Sequence, residues 1–393
     1  MPALRFRGFY DAWEQRKSKD LFIPKIKKGK TELPVLSVTQ TSGVVYRDEV
    51  GIDIKYDRNT LSNYKVIEPN DFVISLRSFQ GGFELSNKLG IASPAYTVFT
   101  PKDIDEHANL FWKYKFKTFS FIQSLKTVTF GIRDGKSISF SEFGDLKIRF
   151  PKNIREQEKI GLFFKQLDSL ITQNEHKTRL LKQLKQAYLQ KIFNQELRFA
   201  GFSDDWEERK LGELASVLTG FPFKNEDFVA NGKYLVITNG NIQNDSSVVD
   251  VLLGNSIDDI SDEIKERYYL NKNDILVTMD GTVGRTAKVV DDNLILAQRV
   301  GRLVSNTNPE FVYQWLNHGS FFNEMTKVSH GGTIKHISLN EISNYRSTVP
   351  SNNIEQQKIG AFFKQLDITI DLHQQKLDLL KKQKQAYLQK LFI

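Results

Sequence analysis

The chain of 393 residues carries no cysteine, which excludes disulfides, thiol nucleophiles and cysteine-ligated metals. Its length exceeds what one hydrophobic core usually takes, so two globular domains plus further elements are expected. No apolar run reaches the roughly 18 residues of a membrane span, which makes the cytoplasm the expected location.

The formal net charge of +8 suits a nucleic-acid partner, but it is unevenly spread. Residues 1 to 150 hold 24 basic and 17 acidic side chains, and residues 194 to 349 hold 15 and 22. A nucleic-acid partner would therefore need a local basic face on the second segment.

Residues 4 to 17 read LRFRGFYDAWEQRK, and a basic stretch at 23 to 30, IPKIKKGK, precedes a strand expected over 34 to 38. Short aromatic-rich alternation runs from 44 to 54, and another strand candidate, YKVIEP, from 64 to 69. Asn70-Asp71 is turn chemistry, and Phe72-Val73-Ile74 enters the next strand. Residues 75 to 83, SLRSFQGGF, form a polar, glycine-rich excursion unsuited to a core. Apolar strand sequence follows at 91 to 99, then an aromatic helix candidate at 109 to 121 and a glycine turn, GIRDGK, at 131 to 136.

From Asn153 or Ile154 to Phe193 the only glycine is Gly161 and no proline intervenes, which predicts one long helix. Apolar residues recur at Ile160, Phe163, Phe164, Leu167 and Ile171, then at Leu181, Leu184, Tyr188 and Ile192, at three-and-four spacing. Between them TQNEHK, at 172 to 177, is polar. A helix of about 40 residues spans roughly 60 Å and is best covered by a partner helix of similar length.

The chain carries that partner. Residues 151 to 193 return at 350 to 392 in a register of 199, with 26 of 43 positions identical. The opening piece also returns, at 197 to 210, as LRFAGFSDDWEERK. The repeat is cyclic, because the second long helix has no such piece after it and the missing copy stands at the N-terminus. Closure brings residues 1 to 17 to Phe392, most simply with antiparallel helices and a pseudo-two-fold axis. Ile160, Phe164, Leu167, Leu181 and Tyr188 of the first helix, and Ile359, Phe363, Leu366, Leu380 and Tyr387 of the second, are the expected coiled-coil contacts.

Residues 211 to 349 repeat the plan of the first segment. Tyr234–Ile237 matches 34 to 38, residues 273 to 277 match 70 to 74, and TMDGTVGR at 278 to 285 matches the excursion from Ser75. Apolar sequence at 294 to 304, a helix candidate at 310 to 325 and a glycine turn, HGGTIK, at 330 to 335 complete the parallel. The fold class is mixed α/β (α+β): two globular domains separated by two long helices.

Little in the chain suggests catalysis. GxxxxGK[ST] is absent, the six histidines form no HExxH or zinc spacing, and Asn-Pro-Pro-Tyr, where an amino-methyltransferase would hold its base, does not occur. Paired carboxylates such as Asp204-Asp205 and Asp258-Asp259 read as turns and caps. The glycine loops offer DNA-contact candidates: Arg77, Ser78, Gln80, Arg133 and Lys136 in the first domain, Arg285, His330, Thr333 and Lys335 in the second. Arg and Lys pair with guanine, Gln with adenine, and Ser or Thr with either. A coiled-coil structural adaptor without DNA contacts is the alternative reading.

PxxxxEQxKIGxFFKQLD, QAYLQKxF and the tandem GFxDxWExRK piece resemble the specificity subunit of type I restriction-modification systems across essentially the whole chain. The resemblance implies target-recognition domains at 18 to 150 and 211 to 349, and conserved helices at 151 to 193 and 350 to 393. Residues 1 to 17 and 194 to 210 are then the repeat pieces. It further implies a non-catalytic chain that reads a bipartite double-stranded DNA target and recruits two methyltransferase (modification) subunits, with two restriction subunits in the full complex. Outward-facing apolar residues of the helices would dock the methyltransferases, and helix length would set the spacing of the half-sites. S-adenosylmethionine, ATP and magnesium would belong to the partners. NKNDILVTMDGTVGR resembles a recurrent family segment, whereas LRSFQGGF departs from it.

Overall fold

The computed structural model describes residues 2–39, 42–50, 58–76, 82–128, 138–244 and 246–392. The chain divides into two compact units, one of Met1–Glu175 with Lys376–Ile393 and one of His176–Gln375. Each unit therefore holds one globular domain and half of each long helix.

The long helices run Ile154–Phe193 and Asn353–Leu391, within a residue of the ends read from the sequence. Each begins the same way. Asn153 Oδ1 accepts from Arg155 N at 3.0 Å, and Asn352 Oδ1 accepts from Ile354 N at 2.9 Å, which caps the first turn. Buried Gln157 and Gln356 donate back to the carbonyls of Pro151 and Pro350. The two helix glycines have one shared purpose: a Cβ on Gly161 would lie 2.8 Å from Phe111 N, and one on Gly360 would lie 2.9 Å from Phe311 N. Glycine there lets a short helix of each domain abut the long helix.

The halves of the two helices pack antiparallel within each unit. In the first, Phe163 meets Tyr387 edge-on at 5.1 Å, Asp168 pairs with Lys384 at 2.6 Å, and Glu175 with Lys381 at 2.8 Å. Leu167, Ile171, Leu377 and Leu380 form the apolar seam there, beside Tyr387. In the second, Lys185 pairs with Asp367 at 2.6 Å and Tyr188 meets Phe362 edge-on at 5.3 Å. Residue numbers rise along one helix as they fall along the other.

Two features of the helix reading change. Ile160 and Phe164, like Ile359 and Phe363, are buried in the domain cores, where Phe164 stacks on Phe392 and Phe363 on Phe193. These positions are three-way junctions of two helices and a domain. Leu184, read as part of the stripe, is exposed, while Leu189 and Ile192 are buried. At about 100° per residue Leu184 lies roughly 140° around the helix from buried Ile171. Leu181, Leu366 and Leu380 are half-buried.

The pieces at 4 to 17 and 197 to 210 dock alike. Arg5 forks onto Glu156 at 2.8 and 2.7 Å, and Arg198 onto Glu355 at 2.7 and 2.8 Å; both carboxylates are buried. Leu4 N donates to Lys390 O, so the N-terminal piece joins the end of the second helix as the cyclic repeat requires. Glu14–Lys17 then pairs antiparallel with Lys147–Phe150, and Trp206–Lys210 with Arg346–Pro350. The strand entering each domain is zipped to the strand leaving it.

Each domain is built on a four-stranded antiparallel sheet. Its order is Phe22–Pro24, Thr97–Pro101, Phe72–Ile74, Phe83–Leu85 in the first domain and Ala215–Thr219, Val300–Ser305, Ile275–Thr278, Thr286–Lys288 in the second. Asn70 and Asn273 precede the matching central strands with the same left-handed φ of 74°. Asp71 and Asp274 each accept a backbone N–H three residues back at 2.8 Å. The apolar runs at 91 to 99 and 294 to 304 each split into two strands, and in the second the break falls at Arg299, with φ 66°. The helix candidates split likewise, at Thr118, whose side chain caps Phe119–Ser124, and at Gly319, with φ 111°.

Each domain is pinned to the helix pair by one aspartate. Asp168 takes Lys384 from the opposing helix and the Tyr114 hydroxyl at 2.8 Å, while Asp367 takes Lys185 and the Gln314 amide at 2.8 Å. Lys288, paired with Glu310 at 2.9 Å, also approaches Asp367 at 4.0 Å.

Leu167→Asp places an unpaired charge in the seam and should cost on the order of 3 kcal/mol in chemical unfolding of the full chain. The control Leu162→Asp, at a side chain 49% exposed, should leave the transition nearly unchanged. Asp367→Ala strands Lys185 in a site where both partners are nearly buried, and should cost about 3 kcal/mol. Asp168→Ala, at a pair about one-third exposed, should cost clearly less. Equal melting of the two alanine variants would contradict the pinning account.

Candidate nucleic-acid interface

Both glycine loops of the second domain are described, and they meet. The first joins the neighbouring strands Ile275–Thr278 and Thr286–Lys288. Thr278 closes it: its hydroxyl donates to Thr282 O at 2.6 Å and accepts from Arg285 N at 3.0 Å. Gly284, with φ 80°, lies where a Cβ would come 2.8 Å from the Met325 Cβ. The loop base is thus pressed onto the helix Ser320–Val328.

The second loop folds on itself through reciprocal backbone bonds between His330 and His336. Gly331, with φ 101°, permits this, since a Cβ there would lie 2.2 Å from Ile334 O. Gly281 N then donates to Lys335 O, and Ile337 N to Met279 O, which zips the two loops together. Below them Ser338 caps Leu339–Ser343 in a capping box with Glu341, which also faces His330 Nδ1 at 3.2 Å.

His330, Thr333 and Lys335 are therefore gathered on one exposed double loop. Arg299 joins them, 67% exposed and bonded to Asp280 at 3.1 Å. Sequence reasoning missed it, although a polar Gln298-Arg299 pair inside an apolar run is a turn signal. Arg285 is placed elsewhere. It closes the loop just before the returning strand, where Thr278 N donates to its carbonyl, and its half-buried side chain lines a cavity of about 420 Å³. Lys182, Lys185, Asp367 and Asp371 line the same cavity. Its buried Nε has no hydrogen-bond partner, and burial together with neighbouring Asp367 raises the Asp371 carboxyl above the usual range.

In the first domain, Arg77, Ser78, Gln80, Arg133 and Lys136 lie outside the described residues. Their frame is described: Phe72–Ile74 and Phe83–Leu85 pair antiparallel and Ser75 N donates to Gly82 O, as Ile275–Thr278 and Thr286–Lys288 pair in the second domain. Buried Glu84 is raised by desolvation, against the pull of Lys117, to which it is bonded. Among the described residues no group of three or more His, Asp or Glu side chains is placed to hold a metal ion, and no helix is long and apolar enough to cross a membrane.

Comparison with known proteins adds three findings. The type I restriction modification DNA specificity domain model matches twice, over residues 10–186 and 203–382. The type I restriction enzyme MjaVIII specificity subunit of Methanocaldococcus jannaschii is 24% identical over 81% of this chain and 77% of its own, and the EcoBI specificity subunit of Escherichia coli is 26% identical over 47% and 38%. Among solved structures, the type I restriction-modification S subunit from M. genitalium superposes over 100% of this chain and 99% of its own, with a TM-score of 0.68 at 17% identity.

Gly331→Ala should separate the two loops by forcing both a left-handed alanine and a clash, at a cost of about 2 kcal/mol. Hydrogen exchange at the amides of Gly281 and Ile337 should accelerate while the sheet amides keep their protection. Unchanged exchange at both would show that the loops are not held by this turn.

Proposed function

Because the chain belongs to the type I restriction-modification DNA specificity family, we propose that it reads a bipartite duplex, one half-site per globular domain, and carries the modification and restriction subunits to it. As a specificity subunit it confers the choice of DNA target and is not itself an enzyme. The observation that carries the bipartite reading is the duplication: two domains with one sheet plan and one mode of attachment, whose loops differ in sequence.

In the second domain the double loop is the reading edge. Its small residues let backbone approach a groove, Arg299 and Lys335 supply charge, and His330 and Thr333 supply groups able to bond base edges. Arg285, set back in its cavity, serves phosphate positioning better than base readout. In the first domain Arg77, Ser78, Gln80, Arg133 and Lys136 take the corresponding roles. The continuous helices then fix how many unread base pairs separate the half-sites.

Partner recruitment rests on the outer face of the helices. Leu162, Leu170 and Leu180 on the first, and Ile368, Leu372 and Leu379 on the second, are exposed on the side away from the seam. An apolar stripe left in water on each helix suits docking of one modification subunit per helix. S-adenosylmethionine, ATP and magnesium are then the partners' cofactors.

Exchanging residues 211 to 349 for the equivalent segment of a homologue should change one half of the recognised sequence and preserve the other half and the spacing. A change in both halves would show that the domains do not read independently. Leu372→Asp should abolish co-purification of a modification subunit without altering the melting transition; full retention would remove this face from the docking surface.

A further inference from the structure

One residue at the reading edge of the second domain carries backbone strain that packing does not explain. Among the described residues, six other than glycine hold a left-handed φ, and four of them are asparagine, whose short side chain tolerates it. The fifth, Gln195, follows the end of the first long helix, an ordinary place for such a turn. The sixth is Arg299, between the strands Leu294–Leu296 and Val300–Ser305, with φ 66°. The first domain makes the matching break with Ser-Pro-Ala-Tyr at 93 to 96, without a cation or a left-handed residue. The fold therefore does not require an arginine at this turn.

The turn is fixed from several sides. Ala297 N donates to Ile237 O at 3.0 Å and Gln298 N to Phe221 O at 2.9 Å, while a Cβ on Gly220 would lie 2.2 Å from Ala297 O. Val300 faces Thr278 in the antiparallel ladder, so Arg299 stands beside the start of the glycine loop. Its guanidinium is 67% exposed and donates through Nη1 to Asp280 Oδ2 at 3.1 Å, its one side-chain hydrogen bond among the described residues. An ion pair this exposed contributes little to stability, less than a left-handed backbone costs an ordinary side chain. What the pair does is hold a long, flexible side chain in one orientation and leave its remaining N–H donors facing solvent.

We infer that Arg299 reads a guanine from the major groove in the half-site of the second domain, and that Asp280 positions its guanidinium fork. This rests on the proposed reading of DNA by that domain. Guanine presents O6 and N7 side by side, and two parallel N–H groups of a guanidinium meet both together. A carboxylate on another N–H fixes the plane of the fork before DNA arrives, so less rotamer freedom is lost on binding. The same carboxylate repels a phosphate brought to the arginine, which favours a base edge over the backbone as its target.

The test uses the full chain with its modification partners, on the duplex that methylation mapping assigns to it. Each guanine of either strand in the half-site of the second domain is replaced in turn by 7-deazaguanine, which lacks only the N7 acceptor. The parent should lose about tenfold in affinity at one of these guanines, the scale of one hydrogen bond to a charged group. Arg299→Gly, which suits the left-handed turn, should melt close to the parent, yet bind the natural duplex about tenfold or more weakly and become indifferent to that 7-deazaguanine. Arg299→Lys keeps the charge without the fork and should lose most of the same discrimination. Asp280→Ala should lose part of it, and Asp280→Asn, which retains an acceptor, should recover it; full discrimination in Asp280→Ala would remove the positioning role. If Arg299→Gly still responds to every 7-deazaguanine as the parent does, Arg299 reads no guanine. A loss equal on all duplexes, with the slope of log affinity against log salt lowered by about one unit, would make it a phosphate contact instead. A parent that discriminates in this half-site but at no guanine overturns the inference and leaves the reading of DNA standing, whereas a parent that binds all duplexes alike removes both.

Discussion

The whole architecture hangs on a carboxylate that serves three elements at once. Asp168 and Asp367 occupy the same place in the two helical repeats, and each bonds a lysine of the opposing helix and a side chain of its own domain's short helix. A seam of leucines alone is non-directional and permits sliding of one helix along another. A charged hydrogen bond with two different partners permits one register and one domain placement. In the second unit the site is nearly dry, so the same residue that specifies the arrangement becomes costly to remove.

A second constraint separates attachment from reading. Each domain enters on a strand beginning at Glu14 or Trp206 and leaves on the strand paired with it, and the Arg5–Glu156 and Arg198–Glu355 forks lock that junction to the long helix. Between these strands the short helices carrying Tyr114 and Gln314 also hold the long helices, so variation falls on the segments outside these contacts. The glycine-rich segments at 75 to 83 and 278 to 285, which follow matching strands, differ in sequence between the two domains.

Much of this was legible from the chain alone because it was written twice. Repetition of 151 to 193 and of 4 to 17 dictated two long helices, antiparallel packing and a ring closed through the N-terminal piece, and Leu4 indeed bonds Lys390 O. Less was legible where tertiary contacts override a local pattern. Ile160 and Phe363 satisfy the helical period, yet they are buried in domain cores, because Gly161 and Gly360 admit a third helix that no periodicity announces. The break at Arg299 needed a left-handed arginine, which propensity disfavours. Arg285 reads in the sequence as the last residue of a glycine loop aimed at bases, but the hydroxyl of Thr278 holds its amide at the base of that loop.

The central claim is that two globular domains of one plan in a single chain give it a DNA target in two parts. Its most direct test is to map methylated bases in DNA from cells in which this chain is the only specificity subunit supplied to its modification partners. The account predicts one motif made of two defined half-sites separated by a fixed run of unspecified bases. A single uninterrupted motif, or two half-sites at variable spacing, would contradict it.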